Sequence, residues 1–270
     1  LWRFIKPRSL TRYGFRSMIV YSLPLVPAQI LVFLIGYIGQ FMLANMVNTS
    51  VSGLYTAAYR IPTMITLVAS IFIDAWQLSS INDNTRQQQI TFFSNVGNMF
   101  ASIVLLIASG AILCSKLAIS ILTAPDYYSA WTYVPLLALS ASFSCLSSFQ
   151  NSIYTLEKKT FQSFLSTAFT AIINIVLNAL LIPRLAGMGA TISSLVSYFF
   201  LFMYRAVDTR RFLPVRWKRR RLTITVVLTF VQAILMLLEP PLWLIWQIIL
   251  FVLVFLLNCR ELLVGVKKLL

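Results

Sequence analysis

Eight long apolar stretches fill most of this 270-residue chain, and the basic residues lie almost entirely in alternate gaps between them. A helix needs about 20 mostly apolar residues to cross a hydrocarbon core of roughly 30 Å. We therefore predict an all-α, polytopic membrane helix bundle. The eight predicted spans cover residues 18–44, 51–81, 91–113, 130–154, 161–183, 187–204, 222–238 and 242–259.

The distribution of positive charge predicts how the chain is oriented. All but three of the 22 Lys and Arg residues lie before the first span or after an even-numbered one. The exceptions are Arg60, inside the second span, and Lys116 and Arg184, in the opposite gaps. Because cytoplasmic loops of membrane proteins are enriched in Lys and Arg, both chain ends are expected to be cytoplasmic.

Composition excludes several other classes of protein. The chain is 59% hydrophobic and only 11% charged, with a mean hydropathy of +0.83, which is not the composition of a soluble domain. Its net charge of +15 collects near span ends, above all in residues 216–221. Such a run is typical of a topology anchor on anionic lipid headgroups, so no nucleic-acid partner is expected.

The residue types that perform most enzyme chemistry are rare or dispersed. Histidine is absent, the seven carboxylates form no close pair, and Cys114, Cys145 and Cys259 show no paired spacing. General acid–base pairs and metal ligand sets are therefore not indicated. We expect a protein that is not an enzyme and that uses no metal or cofactor.

The charge pattern also divides the chain into segments. We predict a basic cytoplasmic lead-in at 1–17, a six-helix lobe at 18–204, a basic cytoplasmic linker at 205–221 and a terminal two-helix hairpin with its tail at 222–270. Almost nothing polar is evident inside the last two spans, which predicts a peripheral pair. Because the sequence opens on Leu1 rather than Met, we expect it to continue a longer polypeptide.

Two charged residues lie at membrane depth in the second span. Arg60 and Asp74 are fourteen residues apart, which places them about 40° apart around a helix and roughly 21 Å apart along it. A charge at this depth usually faces a bundle interior or an aqueous cavity. Arg60 would bind an anionic substrate group there, or extend toward the interface instead. Asp74 would couple transport to an ion, or pair with a cytoplasmic basic residue.

Polar uncharged residues inside the spans supply a second set of candidates. Serines recur through the fourth span, and Asn174 and Asn178 share one face of the fifth. Such residues form either a helix-packing seam or the lining of a pathway, and both interpretations stay open. The candidate lining residues are Gln40, Asn95, Asn98, Ser147, Gln150, Asn151, Asn174 and Asn178.

Several separated motifs, in order, carry a resemblance over residues 15–212. They lie at 21–27, 52–62, 75–77, 127–137 and 174–189. In these segments the chain resembles the second half of bacterial lipid-linked oligosaccharide flippases. That family is the polysaccharide-transport branch of the multidrug, oligosaccharidyl-lipid and polysaccharide exporter superfamily.

The resemblance implies a protein of fourteen helices, in two six-helix lobes and a terminal pair, with a central cavity that opens alternately to each side. The eight spans here would be helices seven to fourteen, so an N-terminal lobe would be missing. The implied activity is movement of undecaprenyl-pyrophosphate-linked repeat units to the outer leaflet of the bacterial inner membrane. O-antigen, capsule or exopolysaccharide assembly would use it, with membrane lipids, a polymerase and glycosyltransferases as partners.

The resemblance implies a role for Arg60 and shows one departure. Arg60 stands where such flippases often have Lys or Arg, and cavity cations are thought to meet the substrate diphosphate. An Asp-Arg pair common near the outer end of the seventh helix is replaced by Gly39 and Gln40. The alternatives are a drug or metabolite antiporter of the same superfamily, and a non-transporting scaffold or truncated relic.

Overall fold

The apolar stretches form long helices joined by short turns. The computed structural model describes Leu23 and residues 25–79 and 85–269, so the predicted lead-in at 1–17 lies outside the described residues. The first four helices are α1 (Leu25–Met46), α2 (Thr49–Ser79), α3 (Arg86–Leu113) and the short α4 (Ser115–Leu122). A 3-10 segment (Pro125–Tyr133) leads into α5 (Val134–Leu156), α6 (Thr160–Asp208), α7 (Arg219–Leu238) and α8 (Trp243–Leu269).

The predicted fold class, an all-α polytopic bundle, is confirmed. By length and composition, six helices in the described residues can cross a membrane, and Trp243–Cys259 is a shorter apolar stretch. One of the six, α6, is a hairpin of two helical arms. Counting those arms separately and adding the shorter stretch gives the eight predicted spans.

The hairpin in α6 is produced at Ala186. Its φ of 48° and ψ of −128° are not helical, and Pro183 removes a backbone donor just before it. Asn174 Nδ2 donates to Ser197 Oγ at 3.2 Å, and Arg205 Nε donates to Ser166 Oγ at 3.0 Å. Residue numbers thus rise in one arm as they fall in the other, so the arms at 160–185 and 187–208 run antiparallel.

The backbone at Ala186 leads to a stability prediction. Its positive φ is a conformation that glycine adopts readily and alanine does not, at a cost of roughly 1–3 kcal/mol. We expect Ala186→Gly to raise the free energy of unfolding by about 1 kcal/mol, measured as thermal unfolding of the purified protein in detergent. Ala179→Gly, at an exposed position inside the first arm, is the control and should lower it by about as much. A lower unfolding temperature for Ala186→Gly than for the unmodified protein would contradict the inference that the backbone at Ala186 is strained.

Aromatic side chains cluster around Phe149 of α5, in the half of the bundle that is predicted to be cytoplasmic. The Phe149 ring centroid lies 5.1 Å from that of Trp76 in α2, 5.6 Å from that of Phe100 in α3 and 5.8 Å from that of Trp217 in the basic segment. Ring pairs at these separations add to the free energy gained by burying their area. The cluster therefore holds three helices and the segment before α7 in a fixed arrangement.

The terminal pair packs against the bundle through buried polar side chains. Gln232 Nε2 of α7 donates to the carbonyl oxygen of Ser109 in α3 at 3.1 Å, and Gln247 Nε2 of α8 donates to the carbonyl oxygen of Gln232 at 3.0 Å. Asn258 Nδ2 reaches Thr225 Oγ1 at 3.4 Å. The expectation that these spans hold almost nothing polar is wrong, because all four side chains at 225, 232, 247 and 258 are buried between helices.

Contacts between loops agree with the two sides that the charge pattern assigns. On the predicted cytoplasmic side, Arg86 at the start of α3 pairs with Glu157 after α5 and donates to the carbonyl oxygen of Phe212 after α6. On the opposite, outer side, Lys116 pairs with Glu239 at the turn between α7 and α8. Lys116 Nζ also lies 4.5 Å and 4.3 Å from the ring centroids of Trp131 and Trp243, which attaches the terminal pair at its outer end.

Candidate functional site

One face of α2 carries a polar stripe through the depth of the bundle. Arg60, Thr63, Ser70 and Asp74 are separated by three, seven and four residues, which keeps them on one side of the helix, and all four are exposed in the described chain. The hydroxyls of Thr63 and Ser70 donate to carbonyl oxygens of their own helix, at 2.8 Å and 2.9 Å. Because charged and polar groups are costly in contact with hydrocarbon, this stripe is suited to water or another polypeptide surface.

A cavity of about 400 Å³ opens beside the stripe. It lies between α1, α2, α5 and the second arm of α6, and hydroxyl groups from every one of these elements reach it. Its polar lining consists of Tyr37, Tyr59, Thr63, Thr66, Ser70, Ser140, Ser144, Ser148 and Tyr198. No Asp, Glu, Lys or Arg is among the residues that line it, so this cavity offers hydrogen bonds rather than charge.

Arg60 lies nearer the outer side than this cavity. It stands eleven residues into α2, about 16 Å along the helix axis from Thr49. Its Nη1 donates to the carbonyl oxygen of Leu122, at the end of α4, at 3.2 Å. A second depression, of about 600 Å³, surrounds it and includes the side chains of Ser52, Thr56 and Tyr127. The guanidinium is thus exposed at an outer, hydroxyl-lined depression, with most of its donors unused by this bond.

Asp74 lies at the opposite end of the stripe. Fourteen residues of α2 separate it from Arg60, so the two charges lie toward opposite ends of one helix face, the predicted outer end for Arg60 and the predicted cytoplasmic end for Asp74. Its carboxylate is exposed and forms no ion pair with any residue that the structure describes. A role in ion coupling stays a prediction.

The candidate lining residues named from the sequence are absent from the lining of the 400 Å³ cavity. Asn174 and Asn178 are buried and hydrogen-bonded between the arms of α6. Asn151 Oδ1 accepts from Ser163 Oγ at 2.5 Å. These contacts favour helix packing over a pathway lining, while a role in transport stays a prediction.

The remaining candidates are similarly dispersed. Gln40 is half-buried and its carbonyl oxygen accepts from Ser52 Oγ at 3.0 Å, whereas Asn95 is exposed on α3. Asn98 is buried and bonded to the basic segment before α7. The amide of Gln150 is fully buried with no protein partner among the described residues. The structure brings none of these four side chains together.

Sequence reasoning raised the serines of the fourth span as a possible lining but named only Ser147 among them. The cavity is lined instead by Ser140, Ser144 and Ser148, which repeat every four residues along α5, and Ser147 is not among the lining residues. Tyr37, Tyr59 and Tyr198 gave no signal, because apolar helices carry tyrosine for packing as often as for binding. The spacing of the serines was the available clue.

Arg205 is the second basic side chain at depth. The charge pattern predicts that Arg205 lies in the cytoplasmic linker. In the structure α6 continues to Asp208, and the Arg205 side chain is buried. Its guanidinium donates to Ser166 Oγ at 3.0 Å, to the carbonyl oxygen of Ser147 at 3.0 Å and to Thr167 Oγ1 at 2.9 Å. Because these partners belong to α5 and the first arm of α6, Arg205 ties its own second arm to both of them and is unavailable to the cavity.

The helices and their apolar surfaces together define an all-α, multi-pass membrane bundle with a hollow, polar face. Residues 2–132 match the family described as "Polysaccharide biosynthesis protein", over just under half of the chain. A comparison with curated protein sequences finds no match.

The fold is similar to that of a solved flippase. The structure "Lipid II flippase MurJ, inward closed conformation" aligns with a TM-score of 0.66 at 14% identity, covering 93% of this chain and 55% of that one. This chain therefore spans about half the length of that protein. The family match and the shared fold confirm the resemblance to lipid-linked saccharide flippases drawn from the sequence.

Proposed function

We propose that this chain forms one lobe of a multi-pass flippase that moves undecaprenyl-diphosphate-linked saccharides to the outer leaflet of the bacterial inner membrane. The observation that carries the proposal is the exposed polar stripe on α2 beside a hydroxyl-lined cavity. Sugars are recognised by many hydrogen bonds of modest strength, which hydroxyl groups supply. A lipid-linked repeat unit destined for O-antigen, capsule or exopolysaccharide is the substrate class.

The two charged ends of the stripe have separate roles in this proposal. Arg60, at the outer depression, would bind a phosphate oxygen of the diphosphate, since a guanidinium presents several donors in a fixed fork. Asp74, at the cytoplasmic end, would exchange a proton or hold a cation. The substrate switches the protein between its inward and outward states only through contacts that differ between them.

The rival proposal of a drug or metabolite antiporter has less support. A site for cationic compounds is expected to carry carboxylates, because an opposite charge is what distinguishes such ligands from neutral ones. The lining of the cavity on α2 contains no Asp or Glu. We therefore propose a neutral, hydroxylated substrate moiety for this cavity and no covalent chemistry during transport.

Filling the cavity tests the proposed transport path. Thr63 is exposed on α2 and lines the cavity, so Thr63→Trp places an indole in the path without disturbing a packed contact. We expect outward movement of an undecaprenyl-diphosphate-linked saccharide to fall by about tenfold or more. The assay uses proteoliposomes of the full-length protein and measures the fraction of substrate accessible to an added glycosidase.

The matched control replaces an exposed side chain outside the cavity. Val176 is half exposed on the first arm of α6, and Val176→Trp should transport at the rate of the unmodified protein. Equal transport by Thr63→Trp and the control, at equal reconstituted amounts, would remove the cavity from the path. Absence of transport by the unmodified protein itself would contradict the proposed function.

A further inference from the structure

The basic segment before α7 is folded into the bundle rather than left as a free loop. The backbone N–H of Arg216 donates to Ser94 Oγ at 2.8 Å, and that of Lys218 donates to Asn98 Oδ1 at 2.9 Å. Asn98 Nδ2 donates back to the carbonyl oxygen of Arg216 at 3.0 Å. Both α3 side chains, Ser94 and Asn98, are buried, so the segment has a specific seat on α3.

Aromatic packing holds the same segment from the other side. The Trp217 ring lies against Phe149, and the bare Gly97 backbone makes room for both rings. A Cβ at Gly97 would come 2.9 Å from Phe149 Cε1 and 3.3 Å from Trp217 Cη2. Positive charge alone is enough to orient a membrane protein. The specific hydrogen bonds and ring packing of this segment therefore indicate a function in addition to orientation.

The segment displays cations that lack partners in the described chain. Glu261 forms ion pairs with the nearby Lys218 and Arg221, and its Oε1 lies 3.3 Å from Arg221 Nη1. Arg216, Arg219 and Arg220 are exposed, and none of the described carboxylates lies within ion-pair distance of them. Cations this close together repel one another, and those at the start of α7 also meet the positive end of its dipole. An anion would offset both costs.

An apolar stripe on α7 leads directly away from these cations into the membrane. Counting from Arg220, the positions four, seven, eleven and fourteen residues on share its helix face. They are Ile224, Val227, Val231 and Ile234, and all are exposed. Cations at the end of a membrane span lie at headgroup depth, above the acyl chains. This arrangement matches an amphiphile with an anionic head.

We propose that Arg216, Arg219 and Arg220 form a specific binding site for an anionic phospholipid of the cytoplasmic leaflet. The phosphate oxygens accept from the guanidinium groups, and an acyl chain lies along the exposed stripe of α7. Ser94 and Asn98 are positioning residues, because they fix the backbone that presents the arginines. The site is separate from the cavity on α2 and does not depend on the substrate proposed for it.

Lipid binding to the full-length protein tests the site. The probe is acyl-chain-labelled phosphatidylglycerol in phosphatidylcholine nanodiscs, detected by energy transfer from tryptophan, with unlabelled phosphatidylglycerol as competitor. We expect saturable binding that falls on the order of tenfold or more when Arg216, Arg219 and Arg220 are all changed to Gln. Asn98→Leu retains every charge and should also weaken lipid binding, because it removes the hydrogen bonds that hold the backbone of Arg216 and Lys218 on α3.

A second triple variant controls for general attraction between charges. Lys158, Arg210 and Arg211 are exposed on the same predicted side, and changing all three to Gln should leave binding within about twofold of the unmodified protein. Equal losses in the two triple variants, or full binding by a folded Asn98→Leu protein, would overturn the site. Unlabelled phosphatidylcholine should not displace the labelled phosphatidylglycerol. If inorganic pyrophosphate alone displaces it, the ligand is a free phosphate, and the lipid assignment would be overturned.

Discussion

Export of surface polysaccharide is expected to fall by about ten- to a hundredfold in Arg60→Ala, because the bond of a guanidinium to an anionic oxygen contributes roughly 1.5–3 kcal/mol. Arg60→Lys retains the charge but not the fork of donors, and should keep most of the export. Arg60 is exposed at the outer depression and donates a hydrogen bond to the carbonyl oxygen of Leu122. The measurement is export by cells that depend on the full-length protein, normalised to its amount.

Arg184 supplies the matched control for this experiment. It is exposed at the turn of the α6 hairpin, on the same predicted outer side, and lines neither depression on α2. Arg184→Ala should therefore export normally. Normal export by Arg60→Ala, at equal protein amount, would remove this residue from the mechanism.

The bond from Arg60 to Leu122 bears on both roles that the sequence left open for this residue. Its guanidinium reaches toward the outer interface, as an extended arginine does, and still stands beside a depression of about 600 Å³. The two interpretations are therefore compatible. Sequence spacing gave the shared face of Arg60 and Asp74, because a continuous helix fixes the angle between residues fourteen positions apart.

The number and class of the helices could be predicted because a helix that spans the membrane needs an apolar stretch of a definite length. Partners in a packed core could not. Arg205 stands at the end of an apolar run, where the positive-inside rule assigns it to a loop. Its actual environment depends on Ser166 and Thr167, nearly forty residues away, and only the hairpin at Ala186 brings them together.

The terminal pair shows the same limit. Gln232 and Gln247 are single polar residues in apolar helices, and a single polar residue does not reveal which neighbour will satisfy it. In the structure Gln232 is satisfied by Ser109 of α3, and Gln247 by the carbonyl oxygen of Gln232. The cavity lining was missed for a related reason: the choice among the serines of α5 depends on which face meets α2, and hydroxyls at all faces look alike in sequence.

Gly189→Ala is expected to prevent stable folding, with a loss above about 3 kcal/mol in the free energy of unfolding. A Cβ at Gly189 would lie 2.4 Å from the carbonyl oxygen of Leu181 and 2.6 Å from its carbonyl carbon. Backbone atoms of a helix cannot move aside as a flexible side chain can, so the two arms of α6 would have to separate. That separation also opens the contacts between Asn174 and Ser197 and between Arg205 and Ser166.

A second glycine gives the control for this substitution. A Cβ at Gly36 in α1 would meet nothing within 4 Å, so Gly36→Ala should be neutral or stabilise the helix by up to about 1 kcal/mol. The measurement is the yield of monodisperse protein in detergent, followed by thermal unfolding. Equal yield and stability for both variants would mean that the arms of α6 do not approach as closely at Gly189 as the structure has them. Loss confined to Gly189→Ala would confirm the close backbone contact between the arms at this hairpin, the same approach that brings Arg205 to Ser166.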